Sequence, residues 1–186
     1  MRKLVAGLAI TLDGVIDGPY HWARQDQAMN DVLAASMAEC DAILIGRNTY
    51  QEYVQIWPNM DSNLMSDFMN NTQKYVLSST LQAPLEWANS ELVSGDLADV
   101  VGRLRDQPGK NIQIPGSPAL VRSLLLRGLL DELDLMVHPI VLGSSARLFH
   151  EGDQLDLELA NTRMFSTGVI HSAYRPATAP PPDYPA

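Results

Sequence analysis

The run KLVAGLAIT at residues 3–11 restricts the fold more than any other feature, because it is apolar at nearly every position. A strand with one face in water alternates apolar and polar residues, whereas a strand buried on both faces reads as a continuous apolar run. A membrane helix needs about 20 apolar residues, and this run ends far earlier, at the turn Leu12-Asp13-Gly14. The sequence therefore predicts a central strand in a mainly parallel sheet, with helices above and below it.

The rest of the chain alternates between strand and helix patterns and then becomes rich in strands. Further strands are predicted at residues 41–45 (DAILI), 74–77, 91–93, 111–114, 132–141, 156–165 and 169–174. Helices are predicted at residues 25–39, 48–56, 96–105 and 119–126. Asp96 and Ser117 stand where the last two helices begin and are good N-caps. This order predicts an α/β fold with a mixed, mainly parallel central sheet and antiparallel edges.

The composition fits one domain and narrows the range of partners. With 186 residues, 46% of them apolar, we expect a folded domain at residues 1–175 and a disordered Pro-rich tail at residues 176–186. The net charge of −9 argues against a nucleic-acid surface and an anionic membrane surface, since both attract clustered Lys and Arg. Cys40 is the single cysteine, so we expect no intrachain disulfide. The N-terminal apolar run has no clear small-residue cleavage site, and no apolar stretch reaches the length of a membrane helix, so the expected localisation is cytoplasmic.

Three junctions between a strand and the segment that follows it carry residues suited to binding phosphates or ribose. Gly46-Arg47 follows the strand DAILI, a run of three hydroxyl residues at 78–80 follows the third strand, and Gly116-Ser117 precedes the apolar helix. Ligands of open α/β sheets collect at the carboxyl ends of the strands, and helix N-termini there bind anions. Helix and turn capping explains each junction taken alone, but the three together favour a dinucleotide site. The sequence contains neither G-x-G-x-x-G nor a P-loop.

Seven short motifs resemble the reductase domain of bacterial riboflavin biosynthesis, which has the dihydrofolate reductase fold. They are LDG at residues 12–14, IGRNTY at 45–50, LSS at 77–79, IPGS at 114–117, GLLDEL at 128–133, PIVLG at 139–143 and RLF at 147–149. The resemblance covers about residues 2–175. It implies a dihydrofolate-reductase-like three-layer αβα sandwich, NADPH as the hydride donor and a homodimer, for which residues 133–142 are an apolar candidate interface.

By position, the resemblance assigns eight residues to the cofactor. Against its phosphates it places Gly46, Arg47, Asn48 and Thr49; near the adenosine, Ser78 and Ser79; at the pyrophosphate, Gly116 and Ser117. The chain departs from the family pattern at two places. Pro115-Gly116 replaces the usual Gly-Gly, and Ser144-Ser145 stands where a second glycine is common.

Three residues are candidates for the substrate side. Asp13, at the end of the first strand, is a candidate to hydrogen-bond the substrate or relay a proton, although Asp-Gly turn chemistry explains it equally well. Asp31 is the acid nearest the position of the helical carboxylate in dihydrofolate reductases, one residue out of register, where a solvated helix residue is the more common case. Trp22 is a candidate to cover the substrate ring, with simple anchoring of its loop as the alternative.

The remaining reactive residue types suggest no further chemistry. His138 lies in a predicted strand and is more typical of a packed histidine than of a base, and neither His150 nor His171 has metal-ligand spacing. We therefore expect no metal, and an NADPH-dependent reductase of a small-molecule substrate such as a ribosylamino-pyrimidine phosphate. Dihydrofolate reduction, or non-catalytic binding of a small molecule on the same fold, are the alternatives.

Overall fold

The chain forms one eight-stranded sheet with helices packed on it, described by a computed structural model for residues 1–144 and 146–177. The strands are β1 (Leu4–Thr11), β2 (Cys40–Gly46), β3 (Gln73–Leu77), β4 (Ser90–Val93), β5 (Asn111–Ile114), β6 (Glu132–His138), β7 (Leu157–Met164) and β8 (Ile170–Pro176). The helices are α1 (Pro19–Trp22), α2 (Gln27–Ala38), α3 (Arg47–Ile56), α4 (Leu64–Asn71), α5 (Leu97–Asp106) and α6 (Pro118–Leu126), with a 3₁₀ turn at Trp57–Asn59.

The strand order is β4-β3-β2-β5-β1-β6-β8-β7. The six strands from β4 to β6 are parallel, while β8 runs antiparallel to β6 and β7 antiparallel to β8. The predicted strand at residues 3–11 is thus confirmed as a central strand, paired with β5 on one side and β6 on the other. The expected mixed sheet with antiparallel edge strands is confirmed as well.

The two faces of β1 differ in how completely they are covered. Leu4, Ala6, Leu8 and Ile10 point into the main core, which they share with apolar residues of α5 and α6. The alternate positions face the other layer, where a smaller cluster joins Met29 of α2 to Met136 of β6 and a third cluster packs α3 and α4. This division gives the predicted helix-sheet-helix layering.

The parallel strands bring their carboxyl ends to one edge of the sheet. In spatial order, the last residues of these strands are Val93, Leu77, Gly46, Ile114, Thr11 and His138. The three junctions singled out in the sequence follow β3, β2 and β5, which are neighbours in the sheet. The fold therefore brings together segments that are about 30 to 70 residues apart in the chain.

Several predicted boundaries are corrected. β6 ends at His138 and not at residue 141, because Pro139 has no N–H for the ladder and the backbone N–H of Ile140 turns back to the His138 carbonyl. β8 extends to Pro176, and Ala177 N donates to Asp156 O at 3.0 Å, so ordered contacts pass the expected domain end at 175. The tail residues 178–186 and Ser145 lie outside the described residues.

The predicted dimer interface at residues 133–142 is wrong for most of its length. Leu133, Leu135 and Met136 are 1%, 8% and 7% exposed, because β6 lies between β1 and β8 and both of its faces are covered. Pro139, Val141 and Leu142, which lie beyond the strand, are exposed. Within the described ranges, no helix is both long and apolar enough to cross a membrane.

Candidate functional site

A cleft of about 490 Å³ opens at the carboxyl edge where β2, β3, β4 and β5 end. Six of the predicted cofactor residues line it, namely Gly46, Arg47, Asn48, Ser78, Ser79 and Ser117. Thr80, the last of the three hydroxyl residues predicted at 78–80, lines it as well. Sequence reasoning missed three other polar or glycine residues of its wall: Ser94, Gly95 and Ser123. Ser94 and Gly95 follow β4 in the way that the predicted junctions follow their strands, so the same strand-end signal would have found them.

Arg47 carries the positive charge at the rim of this cleft. Its Nη1 donates to Thr80 Oγ1 at 2.9 Å and its Nε to Asn48 Oδ1 at 3.3 Å, which fixes the guanidinium between two neutral oxygens. Among the described residues, no carboxylate pairs with it. The side chain is exposed, so its charge is available to an anionic ligand.

Ser117 meets Gly46 at the back of the cleft. A Cβ built on Gly46 would fall 2.7 Å from Ser117 Oγ, so glycine is required there for space, at an ordinary φ of −83°. Ser117 stands at the N-cap position of α6, as predicted, but its side chain makes no capping hydrogen bond, which corrects the predicted role. Ser117 is only 8% exposed, and its hydroxyl bonds to no residue in the part of the chain that the structure describes.

Gly116 and Thr49 lie behind the cleft wall and do not line it. Gly116 has a φ of +142°, which side chains rarely adopt, and a Cβ there would face Tyr53 Oη at 3.5 Å and the Thr49 methyl at 3.7 Å. Thr49 is buried. Tyr53 donates to the Pro115 carbonyl at 3.2 Å, and burial raises the pKa of this phenol, which keeps it a donor. The Pro115-Gly116 turn therefore rests on a tyrosine that the sequence did not single out.

The ends of α3 and α6 add backbone donors to this edge. Neither helix has a side-chain cap, and both begin directly after a strand, at Arg47 and Pro118. Helix N-termini with unsatisfied N–H groups favour anions. The cleft thus combines the guanidinium of Arg47, two helix N-termini without a side-chain cap and the hydroxyl of Ser117, groups that could hold the phosphates of a dinucleotide.

Asp13 lies at the carboxyl edge of the sheet beyond β5, where it joins the loop after β1 to the loop after β6. Thr11 Oγ1 donates to it at 2.6 Å, Gly143 N at 2.8 Å and Leu142 N at 3.3 Å. These bonds, the Thr11 hydroxyl first, lower the pKa of Asp13 to about 2. The carboxylate is therefore ionised at neutral pH and acts as an acceptor, not as a proton donor.

Three comparisons place the chain among known proteins. The family model for the RibD C-terminal domain matches residues 2–171. The chain belongs to the RibD C-terminal domain family. Uncharacterized protein YyaP of Bacillus subtilis is 32% identical over 182 residues, covering 93% of this chain and 94% of its own.

Two solved structures share the fold. A putative riboflavin biosynthesis protein from Shewanella sp. PV-4 superposes with a TM-score of 0.76 at 22% identity, covering 95% of this chain and 99% of its own. Dihydrofolate reductase from Enterococcus faecalis, complexed with NADP(H), gives a TM-score of 0.63 at 14% identity, covering 94% and 96%. This member of the RibD C-terminal domain family therefore has the dihydrofolate-reductase-like fold, as the sequence motifs predicted.

Asp31 and Trp22 are not brought to the cleft of this RibD C-terminal domain. Asp31 is exposed on α2 and accepts a hydrogen bond from Gln27 Nε2 at 2.9 Å, the pattern of a solvated helix residue. Trp22 donates to Asp17 O at 2.8 Å and its ring meets His138 edge-on, with centroids 5.2 Å apart. These contacts anchor the segment between β1 and α2 to the end of β6, which is the structural role weighed for Trp22.

His138 and Cys40 are packed residues, as expected. His138 is 1% exposed and its Nδ1 accepts from Arg24 N at 3.1 Å; burial, and then Arg24, lower the pKa of its ring. Burial, followed by Asp41, raises the pKa of the Cys40 thiol to about 11, so no thiolate forms at neutral pH. Across residues 1–144 and 146–177, no group of three His, Cys, Asp or Glu side chains is arranged to hold a metal ion.

Proposed function

We propose that this protein is an NADPH-dependent reductase that transfers a hydride to a small heterocyclic substrate, with a ribosylamino-pyrimidine phosphate as the first candidate. The observation that carries the proposal is the unpaired hydroxyl of Ser117 behind the exposed guanidinium of Arg47, in a cleft at the ends of four parallel strands. Membership of the RibD C-terminal domain family supports it.

Each part of the cleft has a defined task in this proposal. Arg47 binds a phosphate group by a charge-assisted hydrogen bond, and the first N–H groups of α3 and α6 receive the pyrophosphate. Ser117 Oγ supplies a further hydrogen bond, while Ser78 and Ser79 contact the adenosine side. When bound there, the nicotinamide dinucleotide supplies the hydride, and the chain's contribution is to orient it and to exclude water.

Asp13 has a positioning task. Its ionised carboxylate holds the Leu142-Gly143 backbone against the end of β1, so the loops after β1 and β6 form one wall beside the cleft. Trp22 holds the neighbouring segment to His138. Both residues are therefore proposed to shape the substrate side and not to donate a proton.

The test is a titration of the purified protein with NADPH, followed by nicotinamide fluorescence. We expect saturable binding of NADPH, and oxidation of NADPH, followed at 340 nm, when the ribosylamino-pyrimidine phosphate is added. No binding at millimolar NADPH would overturn the reductase proposal. Binding of NADPH without oxidation by this substrate would remove only the substrate assignment.

Two alternatives are separated by the same assay. Dihydrofolate in place of the pyrimidine phosphate tests dihydrofolate reduction, for which Asp31 is poorly placed because it is exposed and bonded to Gln27. The other alternative is a non-catalytic protein that binds a small molecule on the same fold. The non-catalytic alternative predicts that NADPH binds and that no substrate tested oxidises it.

We also propose that the protein is a homodimer, with β7 as the contact. β7 is the last strand of the sheet, and all of its residues except the first are exposed. Leu159 and Met164 on it are 55% and 76% exposed. An uncovered edge strand with apolar side chains is a template for pairing with a second chain.

A further inference from the structure

The face of the sheet that packs under α2 contains an opening above the middle of β1. On the main-core face of β1 every residue is buried, but Gly7 and Ala9 on the opposite face are only partly buried. β1 has a strand on either side, so solvent reaches these two residues only from above the sheet. α2 covers the neighbouring positions through Met29 and leaves this part open.

Gln113 of β5 presents an unsatisfied amide to this opening. Its side chain is 9% exposed, and its Oε1 accepts from Cys40 Sγ at 3.4 Å. Its Nε2 makes no hydrogen bond to any residue in the ranges that the structure describes. A Cβ on Gly7 would lie 2.9 Å from this nitrogen, so the amide is aimed at the space that the missing side chain leaves. This amide N–H group is therefore free to donate to an oxygen of a ligand.

Asp134 of β6 faces the same opening from the other side. It lies directly opposite Gly7 in the register of β1 and β6, and its Oδ1 is 3.3 Å from His171 Nε2 on β8. Both side chains are largely buried, at 17% and 12% exposure. The second carboxylate oxygen of Asp134 accepts no hydrogen bond from the described residues. Gln113 and Asp134 thus stand on the two strands that flank β1, which lie about 10 Å apart, and Gln113 is level with Val5, two residues before Gly7.

We propose that Gln113 and Asp134 recognise the heterocyclic ring of the substrate, with Gly7 leaving room for the Gln113 amide beside it. Gln113 Nε2 donates to a ring carbonyl, Asp134 accepts from a ring or amino N–H, and His171 orients Asp134. A donor and an acceptor on opposite sides select a ring with a carbonyl on one edge and N–H groups on the other, as in an aminouracil. This inference rests on the proposed function and names the ring-binding residues of that reductase.

The experiment measures the binding of 5,6-diaminouracil by calorimetry, with and without NADPH, to the wild type and to Asp134→Asn and Gln113→Leu. We expect each variant to raise the Kd for 5,6-diaminouracil at least tenfold and to leave the Kd for NADPH within twofold. Glu132→Gln is the matched control, because Glu132 also links β6 to β8, through Arg175, but at the exposed end. It should change neither constant.

The outcomes separate the two proposals. Wild-type affinity for 5,6-diaminouracil in both variants, or no binding of this ring by the wild type, overturns the ring-binding inference. Binding of the ring without binding of NADPH overturns the reductase proposal and leaves the ring site in place. If a thermal melt shows that Asp134→Asn is unfolded, Gly7→Ala takes its place, since the added methyl fills the gap while only the end of a flexible side chain must move.

Discussion

The hydroxyl oxygen of Ser117 occupies the space that a side chain at residue 46 would need, 2.7 Å from the position of a Cβ on Gly46. This contact sets how closely the end of β2 approaches the start of α6. Gly46→Ala forces the two segments apart, and we expect it to weaken NADPH binding at least tenfold in a fluorescence titration. Gly102→Ala is the control, since nothing lies within 4 Å of a Cβ there. Ser117→Ala also removes a proposed hydrogen bond to the cofactor, so the double variant Gly46→Ala/Ser117→Ala should lose less affinity than the sum of the two single losses; full additivity of the two changes would contradict the contact.

Arg47 makes the protein prefer NADPH to NADH if its guanidinium binds the 2′-phosphate of NADPH. Arg47→Gln should then raise the Kd for NADPH at least tenfold and the Kd for NADH less than twofold, because NADH lacks that phosphate. Arg175→Gln, which removes an exposed arginine paired with Glu132, is the matched control. Equal losses for both cofactors would assign Arg47 to the pyrophosphate instead.

The low pKa of Asp13 makes the loop contact between β1 and β6 sensitive to acid. In the folded protein this pKa is about 2, below its ordinary value of 3.8, so the stability it contributes is complete above about pH 4 and is lost as the pH falls towards 2. Asp13→Asn should remove this part of the acid dependence, measured by urea unfolding at pH 5 and pH 3. It should also speed hydrogen exchange at the Gly143 amide. Unchanged exchange at Gly143 would show that the contact is dispensable.

Lys74 gives a dependence of the same sign, but at alkaline pH. It is fully buried, its Nζ donates to the carbonyls of Met69, Asn70 and Thr72, and burial lowers its pKa from 10.5 to about 8. Between these two values the unfolded chain binds more protons, so the free energy of unfolding should rise with pH. The difference between the wild type and Lys74→Met, from urea unfolding at pH 7 and pH 10, isolates this group. A difference that does not grow with pH would contradict the lowered pKa.

The exposed edge of β7 predicts the oligomeric state. We expect sedimentation at micromolar concentration to return twice the mass of one chain. Leu159→Lys together with Met164→Lys should give a monomer, because both changes place charge on the edge strand. Lysine at Leu126, an exposed leucine of α6, is the control and should leave the mass unchanged. A monomeric wild type would remove the homodimer proposal.

The strands of this fold were predictable because burial on both faces leaves a visible apolar run, as in residues 3–11 and DAILI at 41–45. Asp96 was equally readable, since an N-cap acts within its own turn: its side chain accepts from Ala98 N. The role of Ser117 was not readable in this way, because the position of its hydroxyl depends on the absence of a side chain at Gly46, a residue distant in sequence.

Contacts across the sheet account for the other differences. Asp13 was predicted as a substrate-side acid. The backbone N–H groups that bond its carboxylate belong to residues 142 and 143 in the loop after β6, and the sequence around Asp13 does not indicate this contact. Asp134 carries no local signal that distinguishes it from any other acidic residue in a strand. Only the register of β6 against β1 shows that it lies opposite Gly7.

The position of β1 between β5 and β6 has a consequence during synthesis. Leu4 pairs with Ile112, so the first apolar strand leaves the ribosome long before either neighbour exists. At about 5–20 residues per second, the wait is on the order of 5–20 seconds. During this interval the run KLVAGLAIT is an unpaired, aggregation-prone segment, and the cofactor cleft cannot form. Holdase chaperones should therefore bind nascent chains that end before residue 111 and release those that extend past residue 138.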